Sequence, residues 1–82
     1  MNFFSLNNLE CGEFAYIYSI NTTNEIKKRL EEFGFFPESL ISPAFRSPFR
    51  CLTAYRIIDS LVAIRDDIAE KIIVIKSAEV EY

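Results

Sequence analysis

The sequence predicts a mainly β protein, a small SH3-like barrel of five strands with one inserted α-helix at about 23–33 and a short helix at about 66–71. One segment has the capping residues and the apolar spacing of a helix. Most other segments are short runs rich in aromatic and β-branched residues, which favour strands. A chain of 82 residues can protect few free strand edges, and closing the sheet into a barrel removes them.

The first twenty residues predict a helical turn and then a strand. Residues 5–12 carry apolar side chains three positions apart and end in Gly12, a pattern typical of one helical turn before a tight turn. Residues 13–20 are aromatic and β-branched and have no helix cap, so we expect a strand there. Its alternation alone leaves open which face is buried. The two faces consist of Phe14, Tyr16 and Tyr18 on one side and Ala15 and Ile17 on the other.

The next segment has the features of an amphipathic helix. Thr22 and Glu25 have capping-box spacing, in which the threonine hydroxyl accepts the Glu25 amide and the carboxylate reaches back to the Thr22 amide. Gly34 stands where a helix commonly ends in a left-handed residue. One stripe of apolar residues is expected to face the core. It consists of Ile26, Leu30 and Phe33.

The second half of the chain predicts four more strands, at 40–46, 51–58, 61–65 and 72–76. Pro43 cannot donate to a ladder, so the first of these strands is expected at a sheet edge or at a bulge. Asp59-Ser60 has hairpin spacing. Asp66 is expected to cap the short helix, and the apolar run of the last strand predicts burial on both sides. Residues 1–76 are thus expected to form one domain and residues 77–82 a tail.

Composition excludes several classes of function. The formal net charge of −3 argues against nucleic acid, and neither a membrane span nor a secretion signal is expected, so we expect a cytoplasmic protein. In that compartment Cys11 and Cys51 are expected as reduced thiols. Because the chain has no histidine and only two glycines, it has no Ser-His or Cys-His pair and no phosphate loop. We therefore expect no enzyme, no cofactor and no metal site.

Ordered landmarks along almost the whole chain resemble the FeoA family. They are Ser5, Leu6, Leu9, Gly12 and Glu13 near the start, Arg29, Leu30 and Gly34-Phe35-Phe36-Pro37 in the middle, Pro48, and Val62-Ala63-Ile64-Arg65, Ala69, Ile72 and Val74 near the end. The resemblance implies an SH3-like barrel and a part in ferrous iron uptake, through contact with the cytosolic part of a FeoB-type membrane GTPase. It also implies that Ala15, Ile17 and Ile20 are buried.

The sequence departs from the family pattern in three places. Glu38 follows Pro37 where family members usually have glycine, and Asp59 stands at another frequent glycine. The family loop Pro-x-Gly-Asp-Pro keeps only its first proline, Pro48, and reads 48–52 as Pro-Phe-Arg-Cys-Leu. These departures bear more on the partner than on the fold.

The resemblance implies that the aromatic side of the first strand faces outward, and an exposed aromatic surface often marks a binding site. Aromatic and arginine side chains near the loop after residues 40–46 have the same character. The predicted partner-binding residues are Tyr16, Tyr18, Arg46, Phe49 and Arg50. The alternative for the tyrosines and Phe14 is packing against the N-terminal segment, at Phe3, Phe4 and Leu6. For the loop, the alternative is an ordinary solvated turn.

A second functional hypothesis remains open at this point. An SH3-like domain also resembles the C-terminal part of metal-dependent transcriptional repressors, where it serves as an accessory domain. Such a role requires a separate DNA-binding chain, because this sequence has neither a recognition helix nor a basic face.

Overall fold

The structure is a computed structural model that describes residues 2–48 and 51–76. Six strands form one antiparallel sheet in the order β1-β6-β2-β3-β4-β5. The strands are β1 (Phe3–Ser5), β2 (Ala15–Ile20), β3 (Leu40–Arg46), β4 (Leu52–Ile57), β5 (Ser60–Arg65) and β6 (Ile72–Lys76). Two helices, α1 (Asn24–Glu32) and α2 (Asp66–Ala69), and a 3₁₀ turn at Leu6–Asn8 complete the described part.

The mainly β prediction is confirmed, with a sixth strand and an open sheet as corrections. β1 was missed because it has only three residues, too few for a periodic pattern, and its partner β6 lies at the other end of the chain. The sheet does not close into a barrel, because β1 and β5 are each paired on one side only. The prediction of a helical turn near residue 5 is confirmed by the 3₁₀ turn, where Leu9 N–H donates to Leu6 C=O at 3.0 Å.

Helix α1 begins one residue later than the capping box predicted. Thr23 is the N-cap, and its hydroxyl accepts from Ile26 N–H at 3.3 Å. The end of the helix is as predicted, because Gly34 has a φ of 99° and its N–H donates to Glu31 C=O. Phe35 N–H donates to Leu30 C=O, which completes a Schellman motif.

The Schellman motif decides which phenylalanine reaches the core. Phe35 follows the left-handed Gly34 and is fully buried. Phe33, which the helical stripe predicted as a core residue, is 52% exposed. That part of the prediction is wrong because the chain reverses direction at the glycine, and the reversal turns Phe35 inward instead. Leu30 is buried, and Ile26 is partly buried against the core.

Pro43 lies at a bulge, as one of the two alternatives predicted. The register of β3 against β4 shifts between Pro43 and Phe45. The other alternative, an edge strand, is wrong, since β3 lies between β2 and β4. Only Leu40 and Ile41 pair with β2, so no strand pairs with Pro43 on that side, where the Gly12 N–H donates to the Pro43 C=O at 3.2 Å.

The β4–β5 hairpin is one residue earlier than predicted. Ile57 pairs with Ser60, so the loop residues are Ile58 and Asp59. Ile58, not Asp59, takes the left-handed conformation, with a φ of 52°. Its side chain lies over Gly34, where a Cβ would come within 3.0 Å of Ile58 Cδ1. A side chain at position 34 would therefore meet the hairpin as well as strain the backbone.

Two predictions for the last part of the chain also change. Helix α2 ends at Ala69 rather than Lys71, and its N-cap is Arg65, so Asp66 is not a cap. The Asp66 carboxylate instead accepts a hydrogen bond from the Thr53 hydroxyl at 3.3 Å. Strand β6 is buried on one side only, because Ile72 and Val74 face the core while the alternate residues remain half-buried.

Candidate functional site

Apolar side chains from four neighbouring strands form a row across the outer face of the sheet. Phe3 pairs with Ile75, Ile75 with Tyr16, and Tyr16 with Leu40. Because directly paired residues point to the same face, all four side chains lie on the side away from the core. We call Phe3, Ile75, Tyr16 and Leu40 the outer apolar row.

The burial pattern along β2 explains why its tyrosines lie on this face. Ala15 and Ile17 are buried in the core, so the period of two turns Tyr16 and Tyr18 outward. The burial of Ala15, Ile17 and Ile20, which the family resemblance implied, is confirmed. Tyr16 is half-buried between its neighbours, and Tyr18 is 58% exposed.

An open groove of about 500 Å³ follows the outer apolar row. The Phe3 and Tyr18 rings form one wall, with centroids 4.5 Å apart and planes tilted by 53°. The groove is lined by Phe3, Tyr16, Ile17, Tyr18, Glu38 and Ile75. Tyr18 therefore packs against the N-terminal segment, as the alternative interpretation proposed, through its contact with Phe3. Both rings nevertheless keep about half of their surface exposed to water.

A second depression, of about 210 Å³, continues the apolar surface past Leu40. Its lining includes Phe14 and Leu40, as well as Ile58 from the β4–β5 hairpin. Arg56 contributes a positive charge at the rim. Leu40 is 42% exposed and belongs to both surfaces, so the apolar face extends over at least five chain segments. A scattered set of single apolar residues would be ordinary, but a contiguous face of this kind is typical of interaction sites.

The predicted loop residues lie elsewhere. The Arg46 guanidinium donates to the Leu9 C=O through one nitrogen and to the Thr53 hydroxyl at 3.2 Å through the other. These bonds tie β3 to the 3₁₀ turn and to β4, so the side chain has a structural task. Phe49 and Arg50 lie outside the described residues. The structure therefore brings Tyr16 and Tyr18 together and leaves the proposed contacts of the loop as predictions.

Sequence reasoning missed Phe3, Leu40 and Ile75 as members of this surface. Each belongs to a different strand, and only the registers of the sheet bring them beside Tyr16. The alternation of β6 carried part of the signal, because one of its two apolar faces had to lie outside the core.

An ion pair closes the end of β6 on the core side of the sheet, because Lys76 pairs with the buried Ala15. The Lys76 ammonium contacts the Glu13 carboxylate, and the Glu10 N–H donates to the same carboxylate at 3.0 Å. The hydrogen bond from Lys76, followed by that from Glu10, lowers the pKa of Glu13 below its ordinary value. The pair anchors the last strand to the segment that precedes β2.

The described residues hold no group of three or more cysteine, aspartate or glutamate side chains placed to bind a metal ion. Cys11 and Cys51 are both exposed and form no disulfide with each other. Nor does any helix within the described ranges have the length and apolar character needed to cross a membrane. The lining of the groove and of the depression offers apolar contact, with Glu38 and Arg56 as its charged members.

Solved structures with the same fold include FeoA proteins and a manganese-dependent transcriptional repressor. The FeoA protein from Chlorobium tepidum matches with a TM-score of 0.87 at 22% identity, over 94% of this chain and 73% of that chain. FeoA from Stenotrophomonas maltophilia, solved with zinc and described as a prokaryotic SH3 domain protein, matches with a TM-score of 0.72 at 21% identity, over 85% and 87%. A manganese-dependent transcriptional repressor matches with a TM-score of 0.81 at 16% identity, over 90% of this chain and 41% of the repressor.

Fold and surface together define a small SH3-like β domain with an exposed apolar face. Curated protein sequences gave no significant match. The family model of the FeoA domain matches residues 4–76, and the chain therefore belongs to the FeoA family, whose domains occur in ferrous iron transport proteins. The predicted family membership is confirmed.

Proposed function

We propose that this chain is a cytoplasmic interaction module that binds the cytosolic part of a FeoB-type membrane GTPase and modulates ferrous iron uptake. The observation that carries the proposal is the outer apolar row with the exposed Tyr18 beside it, on a domain of the FeoA family. Aromatic side chains are favoured interface anchors because they bury much apolar area at low cost in conformational entropy. The Stenotrophomonas FeoA is itself described as a candidate ferrous iron transport activating factor, which supports a similar role here.

The proposal includes no catalysis by this chain. FeoA domains are non-catalytic accessory domains as a family, and a sequence without histidine lacks the commonest general base. Iron is the cargo of the partner in this proposal and is not bound by the module. Modulation then depends on which conformation of the GTPase the module binds more tightly.

The test is a binding measurement between the full chain and the cytosolic GTPase domain of a cognate FeoB-type transporter. The double variant Tyr18→Ala, Leu40→Ala removes two exposed side chains of the apolar face without opening the core. We expect it to weaken binding by about tenfold or more, as loss of an interface anchor does. Isothermal calorimetry with each guanine nucleotide gives the affinity and its dependence on the nucleotide state.

Phe45→Ala is the matched control, because Phe45 is equally exposed but lines neither the groove nor the depression beside it. We expect the control to bind as tightly as the unmodified chain. Both proteins should keep the same urea midpoint of unfolding. Equal affinity of the double variant and the control would remove the apolar face from the interface.

The loop residues form a separate part of the proposal. Phe49→Ala and Arg50→Ala can be compared directly with the double variant in the same assay, and a loss of affinity would extend the interface to this loop. Arg46 is unsuitable as a first test, because replacing it breaks the bonds to Leu9 and Thr53. A weaker interaction of that variant would not separate contact from stability.

An accessory domain of a metal-dependent regulator is the second candidate. The manganese-dependent repressor favours this candidate, because 41% of that repressor aligns with this chain and has the same fold. A test is whether this chain co-purifies with a DNA-binding protein or with the GTPase domain. Binding to the GTPase domain and not to a DNA-binding protein would support the first candidate.

A further inference from the structure

The two edges of the sheet differ in how well they are protected. β1 has only three residues, and short strands are a common way to blunt an edge. β5 has six residues, contains neither proline nor lysine, and carries a single charge, Arg65, at its end. Its outward side chains begin with Leu61, which is 51% exposed. An edge of this length and character is unusual unless another chain covers it.

The hairpin register identifies the unpaired backbone groups. Ile57 and Ser60 flank a two-residue loop and therefore form a hydrogen-bonded pair. Hydrogen-bonded pairs alternate along an antiparallel ladder, so Leu61, Ala63 and Arg65 direct their N–H and C=O groups away from β4. The Arg65 C=O belongs to the start of α2, for which Arg65 is the N-cap, so the groups open to another strand are the N–H and C=O of Leu61 and Ala63 and the N–H of Arg65. They form a template for one more strand.

A groove of about 320 Å³ lies between this edge and helix α1. Ile26 and Leu30 form its floor on the helix side, and Phe33 stands at its rim with half of its ring in water. Val62 and Ile64 line the strand side. The groove shares no lining residue with the outer apolar row or with the groove along it, so the two surfaces are separate.

Two arginines give the groove its charge. Arg29 on α1 and Arg65 at the end of β5 both line it. Within the described part of the chain, Arg29 forms no ion pair, and Arg65 contacts only Asp67, at 3.2 Å with both side chains more than 60% exposed. An exposed pair of this kind contributes little and can exchange for a stronger carboxylate partner. The groove therefore favours an acidic occupant.

We propose that the β5 edge and the α1 groove bind an extended segment of another protein by strand addition, with apolar and acidic residues alternating along that segment. Backbone groups of Leu61, Ala63 and Arg65 pair with the segment. Its apolar side chains enter the groove against Leu30, and the alternate carboxylates point to the opposite face of the strand, where Arg65 lies. The charge of Arg29 beside the groove adds to the attraction for an acidic segment. This surface lies apart from the apolar face assigned to the GTPase, and the inference does not depend on that assignment.

A second copy of this chain fits the site less well. The strands that the sheet offers at its edges are β1, Phe-Phe-Ser, and β5, Ser-Leu-Val-Ala-Ile-Arg. Neither carries a carboxylate for Arg29 or Arg65, and a β5–β5 contact would add two further arginines. Charge complementarity thus separates a foreign acidic segment from self-association.

The experiment is an NMR titration of the full, ¹⁵N-labelled chain with a blocked synthetic hexapeptide in which glutamate and valine alternate. The matched probe replaces each glutamate with lysine and keeps the apolar residues. We expect saturable shifts of the Leu61, Ala63 and Arg65 amides with the acidic peptide, and binding about tenfold weaker with the basic peptide. The affinity for the acidic peptide should fall as salt is added.

Variants locate the site further. Ala63→Pro removes an N–H that faces the open edge and leaves the ladder to β4 intact, so we expect the affinity to fall about five- to tenfold, the equivalent of one backbone hydrogen bond. Arg29→Glu should weaken binding by at least as much. Lys28→Glu is the control, because it changes the net charge equally on the same helix but does not line the groove.

Three outcomes would overturn the proposal. The first is equal binding of the acidic and basic peptides, which would indicate unspecific apolar contact. The second is a set of shifts that leaves out the β5 amides. The third is slow hydrogen exchange of the β5 amides in the absence of peptide, together with a rotational correlation time that rises with protein concentration. This result would mean that a second copy of the chain covers the edge.

Discussion

Tyr55 lies in the middle of the core, where its ring is fully buried. Its hydroxyl has no hydrogen-bond partner among the described residues. Burial is the main cause that raises the pKa of this phenol, and the nearby Thr53 hydroxyl opposes the effect. The folded chain therefore keeps the phenol proton to a higher pH than the unfolded chain does.

This difference predicts how stability depends on pH. Because the unfolded chain loses the proton first, the free energy of unfolding should fall as the pH rises above the ordinary tyrosine pKa of about 10. Tyr55→Phe removes the ionisation and should make this fall smaller. Urea unfolding of both proteins between about pH 8 and about pH 11 measures the two slopes.

At neutral pH the same variant tests the cost of the unpaired hydroxyl. Removing a desolvated group that has no partner should leave the stability unchanged or raise it. A clear loss of stability at neutral pH, together with an unchanged slope at high pH, would mean that the Tyr55 hydroxyl is hydrogen-bonded in solution.

At the scale of elements, helix α1 is held by one deep contact rather than by a uniform stripe. Leu30 is buried, and its C=O accepts the Schellman hydrogen bond from the Phe35 N–H. Ile26 is only partly buried, and Phe33 is half exposed. Leu30 therefore contributes most of the hydrophobic stabilisation of the helix.

We expect Leu30→Ala to lower the free energy of unfolding by about 2–5 kcal/mol, as large-to-small core replacements do. Phe33→Ala is the comparison from the same helix end and should cost less than about 1 kcal/mol, because much of the ring is already in water. Urea midpoints with unchanged slopes give both values. If the two variants lost equal stability, the exposure of Phe33 would be misassigned.

At the scale of the whole molecule, the last strand holds the sheet together. β6 lies between β1 and β2, so it joins the N-terminal strand to the rest of the sheet. Ile72 and Val74 of this strand are fully buried. The Lys76–Glu13 ion pair fixes its far end. The connection of β1 to the rest of the sheet thus requires nearly the whole chain, from β1 to β6.

Truncation tests this dependence. A chain that ends at Lys71 lacks β6 and should be unfolded, because the core loses two large residues and two ladders lose their shared partner. A chain that ends at Lys76 keeps every described residue of the sheet and should stay folded, which also tests the proposal that residues 1–76 form the domain. Circular dichroism and the urea midpoint distinguish the two outcomes. A folded Lys71 truncation would contradict the role of β6.

The amino-acid sequence by itself determined the local features of this protein. The cap near Thr23, the glycine stop at Gly34 and the β-rich runs are contained within a few residues each, so their prediction needed no distant contact. The ordered landmarks were enough for the family. The alternation of β2, once the buried side was known, also assigned Tyr16 and Tyr18 to the outer face.

Only the tertiary structure decided which of those residues meet. The pairing of Phe3 with Ile75 joins positions at opposite ends of the chain, and neither β1 nor the outer apolar row has a local pattern that reveals it. The same holds for the open edge of β5 and its groove with α1. Strand order and register depend on the burial of the whole core, and a single slip of one residue would turn every side chain of a strand to the other face.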